Sequence, residues 1–175
     1  MTSNELFKPK VEWRYVCWNR LNIPKSSFIY RATVQGRLLT KDRLVRMGMV
    51  MDSACFLCAN GDETHHHLFY ACCYSTQCFT LIQQALHIQL QPDALHVWFN
   101  KSHGKSKLQK RMVCAIYVAM IYGIWRARNK ARVADVVIHP TYLVKHILKD
   151  VLNRFWARNS GKMTRKEADW LANIV

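Results

Sequence analysis

Cys55-Phe56-Leu57-Cys58 places two thiols three positions apart, the spacing with which a tight turn offers two sulfurs to one metal ion. Four of the seven cysteines fall between Cys55 and Cys73, and His65, His66 and His67 stand among them. With His67 and Cys72 as the closing pair, the pattern is C-x2-C-x8-H-x4-C, a donor set suited to one tetrahedral Zn²⁺. His65 or His66 could replace His67, and Cys73 could replace Cys72, without the metal leaving the segment. Four protein ligands fill the tetrahedron and leave no position for an activated water, so the expected zinc is structural.

Other chemistry finds little support. The chain has only 11 acidic residues, and none is paired plausibly for two-metal catalysis. Adjacent Asp62 and Glu63 read as solvated groups or as contacts behind the metal ligands. A Cys-His nucleophile built from Cys72 or Cys73 explains fewer residues than metal ligation does. No glycine-rich phosphate loop is present, and the expectation is a protein that is not an enzyme and has no small-molecule substrate.

The elements that must position these ligands read as mainly α. A short amphipathic helix is expected between Pro9 and Leu21, ended by Ile23 and Pro24, and a second from Ser26 or Ser27 to Gly36. Thr40 is the expected N-cap of a third over Lys41 to Met47, with Gly48 in the left-handed position after it. Asn60 and Gly61 turn the chain between the halves of the metal segment, Thr64 caps a short helix carrying His67, and a further helix follows from Tyr74 to Leu86. Pro92 and Asp93 mark a break, and Lys101 to Lys107 reads as a basic linker. The division expected is a zinc-binding helical domain over 1–100, its core at 10–100, with a basic helical extension over 101–175 packing on it. That extension holds a long helix from about Ser106 to Arg132, apolar nearly all round in its middle, and a helix begun by Pro140 with Leu143, Ile147, Val151 and Phe155 on one face. A last one is capped by Thr164 with Glu167. Cys17, Cys78 and Cys114 sit among apolar neighbours and read as buried thiols.

Net charge is +15, unevenly spread. Residues 1–50 hold ten Lys or Arg against three acids, 51–100 hold none against four, and 101–175 hold sixteen against four. A polyanion should therefore meet the flanks, not the metal segment. The candidate nucleic-acid contacts are Lys101, Lys105, Lys107, Lys110 and Arg111 in one cluster, and Arg126, Arg128, Lys130 and Arg132 in another. Trp13, Tyr15 and Trp18 interleave with Lys10, Arg14 and Arg20, but at helical spacing they read first as core. The alternative is a scaffold subunit whose helices dock onto a larger protein assembly. The longest apolar run, Met112 to Trp125, is too short to span a membrane, and MTSNELFKPK lacks a signal core, so an intracellular protein of nucleus or cytoplasm is expected.

Ile23-Pro24-Lys25, Phe28, Arg31-Ala32, Gly36-Arg37-Leu38, Thr40 to Leu44, Gly48, Cys55, Cys58, Glu63-Thr64, His67-Leu68-Phe69, Cys72 and Ser75 together resemble the plant reverse-transcriptase zinc-binding domain, over about residues 10–100. Leu39 and Cys73 replace prolines usual in that family, and Tyr30 and Cys78 replace frequent tryptophans. The resemblance implies a piece from near the C-terminus of a LINE-type non-LTR retrotransposon polymerase protein. Ile124 to Asn129 and the helix from Pro140 to Phe155 look like the segment that follows the domain in such elements.

Overall fold

A computed structural model of the chain describes residues 16–91, 95, 98, 102–159, 161 and 163–174. Most of the expected helix between Pro9 and Leu21, the Pro92-Asp93 break and Lys101 lie outside the described residues. The described residues are mostly helical, in the order α1 (Pro24–Val34), α2 (Lys41–Arg46), a π-helical turn (His67–Ala71), α3 (Cys73–Leu86), α4 (Lys107–Ala134), α5 (Pro140–Arg158) and α6 (Arg165–Ala172). Among the described residues the sole β pairing is one antiparallel bridge, Ala54 to Asp62.

Local chemistry accounts for most boundaries. α4 opens with a reciprocal capping box between Ser106 and Gln109, and α6 with one between Thr164 and Glu167. Pro140 opens α5, and His139 accepts the Thr141 N–H in front of it. α2 ends in a left-handed Gly48 (φ +69°), with the Met49 N–H returning to the Leu44 carbonyl. α1 begins earlier than Ser26. Pro24 is its first residue and Ile23 an N-cap without a side-chain bond, because proline's fixed φ already suits a first helical turn.

α4 is the spine. Met112, Ile116, Met120, Ile121 and Ile124 are fully buried along it, and α1, α3 and α5 all pack on it. Gly123 permits the closest approach of α4 and α5, since a Cβ there would lie 2.9 Å from the Ile147 Cδ1. One apolar core contains Leu57, Leu68 and Phe69 of the metal segment together with α4, α5 and Leu171 of α6, so the packing is continuous across the middle of the chain. Burial lifts the Cys17 thiol to about 11 and those of Cys78 and Cys114 to about 12, which leaves all three as inert core residues. Trp18, read from its spacing as core, is instead 79% exposed.

Candidate metal centre

The knuckle forms because the chain reverses sharply between two thiols and an acidic turn. The Cys55 N–H donates to the Gly61 carbonyl (3.0 Å), and the Cys55 carbonyl accepts the Ala59 N–H (2.8 Å). Gly61 sits at φ +95°, a conformation that a side chain would strain. On the other side, the Thr64 hydroxyl accepts the His67 N–H (3.0 Å), and the chain then runs through a π turn closed by the Cys72 N–H on the His67 carbonyl (2.6 Å). That wide turn sets His67 and Cys72 to face the same point, and the buried Ser75 hydroxyl fastens it to α3 by donating to the Leu68 carbonyl (2.6 Å).

The donor atoms of Cys55, Cys58, His67 and Cys72 all lie within 4.8 Å of one another. Cys55 Sγ is 4.0 Å from Cys72 Sγ, and Cys58 Sγ is 3.2 Å from His67 Nε2. Ligands about 2.3 Å from a tetrahedral Zn²⁺ are separated by roughly 3.8 Å, so the cluster has the dimensions of a zinc site. Cys73 and His66 are exposed and stand outside the cluster. His65 packs its ring against Phe69, 5.1 Å between centroids. The competing registers are therefore not the ones the fold assembles.

Backbone N–H groups of Leu57 and Cys58 point at the Cys55 sulfur, that of Asn60 at Cys58 (3.4 Å), and that of Ser75 at Cys72. Such donors favour thiolates and orient them for a cation. The neighbouring sulfur of Cys72 holds the Cys55 thiol down at about 5, while Cys72 itself is pushed up by Cys55 and by burial. Burial also raises Cys58. Three crowded sulfurs cannot all ionise alone, and a dication is what lets them do so. With four protein ligands the site holds one structural zinc.

Acid should release that zinc. Cys55 and Cys72 share one site, and without a cation the second of the two resists ionisation, so protons compete with zinc for the pair. Below roughly pH 8.5 each of three unfolded thiols also competes with a proton, so apparent affinity should drop by about 1000-fold per pH unit. A colorimetric chelator followed from pH 7.5 to 5 should report steep zinc loss; release independent of pH would contradict a three-thiolate site.

Of the two roles expected for Glu63, solvation fails and contact behind the metal ligands fits, since it is 0% exposed and reaches the knuckle backbone. Its Oε1 accepts the Lys41 N–H (2.9 Å) and both Nε (2.9 Å) and Nη2 (2.6 Å) of Arg128, and its Oε2 accepts the Phe56 N–H (3.4 Å). One carboxylate thus ties α2, the zinc knuckle and α4 together. Arg128, a candidate nucleic-acid contact from sequence, is corrected by the same observation: it is 1% exposed, with its guanidinium 5.1 Å from the Phe56 and Trp125 rings. A signal was present, since Arg128 shares a helix face with Ile124, Ala127 and Ala131, all buried.

Of the other basic candidates, Lys105, Lys107 and Arg111 are exposed near the start of α4, with Lys110 half-buried beside them. Arg126, Lys130 and Arg132 are exposed at its end. Twenty-eight residues at about 1.5 Å each put the two groups some 40 Å apart at the extremes, so they are separate surfaces.

Fold and site together define a helical module organised by one structural zinc. Residues 2–79, which carry all four ligands, match the family described as zinc-binding in reverse transcriptase. The match ends inside α3, leaving α4, α5 and α6 beyond it. No curated protein and no solved structure matches the chain. No helix among the described residues is long and apolar enough to cross a membrane.

Proposed function

We propose that this chain is a non-catalytic, zinc-organised module derived from a LINE-type retrotransposon reverse-transcriptase protein, and that it binds RNA or DNA through its basic flanks with weak sequence selectivity. The observation that carries the binding reading is charge left uncompensated. Lys105, Lys107, Arg111, Arg126, Lys130 and Arg132 are exposed, and none pairs with a carboxylate among the described residues. Cations placed this way displace counterions from a phosphate backbone and carry little sequence information. The zinc segment has no Lys or Arg between Met51 and Asn100, so the metal builds the fold and the flanks meet the ligand.

A second reading, docking on a protein assembly, is favoured by the exposure of Phe28, Val34, Leu39, Met47, Met49 and Met51. Salt separates the two. Binding of a labelled oligonucleotide should weaken steeply between 50 and 200 mM salt, with a log–log slope of several units. An association that tolerates salt would favour the apolar surface instead.

A further inference from the structure

The start of α4 is the wall of a cleft. Arg20 and Leu21 form a second wall, the last turn of α5 a third, and the cavity between them measures about 850 Å³. Four cationic side chains, Arg20, Lys107, Arg111 and Arg158, line it. Its apolar lining is the half-buried Leu108, with the edges of the buried Leu21 and Phe155 behind it. The walls are bonded to one another: Arg158 donates to the Arg20 carbonyl, Arg154 to the Leu21 carbonyl (3.0 Å), and the Asn19 amide to the Arg111 carbonyl (2.6 Å). The cleft is therefore built before any ligand arrives, and the positive end of the long α4 dipole opens beside it.

Glu167 is the one carboxylate in the lining. The Ser106 hydroxyl and the α6 cap at Thr164 hold it below the usual carboxylate range, so it stays ionised and subtracts one charge from four. None of the four cations pairs with a carboxylate among the described residues. Convergent cations with an apolar floor suit a phosphodiester chain whose bases are free to turn inward.

We infer that this cleft is a docking site for the sugar-phosphate backbone of a single-stranded nucleic acid, with one base resting on the half-buried Leu108. The inference rests on the nucleic-acid reading above and narrows it to one place. It draws in Arg20 and Arg158, which lie 138 residues apart in sequence.

The test uses the full chain, fluorescence anisotropy, and labelled oligo-U, oligo-dT and duplex DNA of equal length. Lys107→Gln/Arg111→Gln removes two cleft cations, whereas Lys145→Gln/Lys149→Gln removes two exposed cations from α5 away from the cleft. Zinc content and circular dichroism should match the parent in both. The cleft pair is expected to weaken single-strand binding about tenfold and to reduce the salt slope by about 1.4 units, and the control pair to change affinity less than about twofold. Glu167→Gln should tighten binding. Oligo-U and oligo-dT should bind alike, because backbone phosphate is common to both. Equal losses from the two pairs would overturn the cleft while leaving the broader reading intact. Duplex bound as tightly as single strands, or only one of the two single strands bound, would overturn the mode of recognition. No binding by the parent at low salt would overturn the nucleic-acid reading itself.

Discussion

Cys55→Ser is expected to abolish stoichiometric zinc and, with it, cooperative unfolding of the whole domain. Zinc held by such ligands supplies on the order of 10 kcal/mol or more of apparent free energy. That is comparable with the roughly 5–15 kcal/mol by which a domain is stable at all. A serine hydroxyl cannot replace a thiolate here, and the site buries Cys55 at 2% exposure, so no outside ligand reaches the vacated position. Loss of the knuckle frees the π turn, which removes Leu68 and Phe69 from the core they share with α4 and uncovers Trp125, against which Phe69 stacks at 6.5 Å. Because that core is continuous, the damage should not stop at the metal segment. Native mass spectrometry should find one zinc per parent chain and none in the variant, and chelation of the parent should reproduce the variant's loss of helical circular dichroism. Cys73→Ser is the control: Cys73 is exposed beside a ligand, and its replacement should leave zinc and melting unchanged. A Cys55→Ser protein with bound zinc and the parent's melting midpoint would sink the ligand assignment.

The ligand cluster was legible in sequence because its geometry is local: a knuckle, a turn and a capped helical segment, each written within a few residues. The same holds for α4, α5 and α6, whose starts follow from Ser106 with Gln109, Pro140, and Thr164 with Glu167. What sequence concealed is long-range. Glu63 and Arg128 are charged residues 65 positions apart, and each alone reads as surface; only the fold brings them together. Arg20 and Arg158 are hidden for the same reason. Pro24 was ambiguous in principle, since a proline that stops one helix equally starts the next, and the outcome depends on which segment packs.

The buried pair yields the second large effect. Arg128→Met leaves the Glu63 carboxylate buried without its main partner, and Glu63→Gln leaves the guanidinium so. Removing one member of a buried ion pair costs roughly 3–5 kcal/mol, which in a chain of this size lowers the melting midpoint by about 10 °C. Neither variant touches a zinc ligand. Both should therefore still bind one zinc, but more weakly, because Glu63 also accepts the N–H groups of Phe56 in the knuckle and Lys41 in α2. The double variant Glu63→Gln/Arg128→Met should recover part of the loss, since it strands no charge and Met packs against the Phe56 and Trp125 rings that the guanidinium now covers. A thermodynamic cycle over the four proteins isolates the coupling. Strict additivity of the two single changes would show that the pair does not act as the clasp between the zinc segment and the long helix. A coupling of several kcal/mol, with zinc affinity moving in step with stability, would show that the two halves of the chain are joined through this one carboxylate as much as through their shared core.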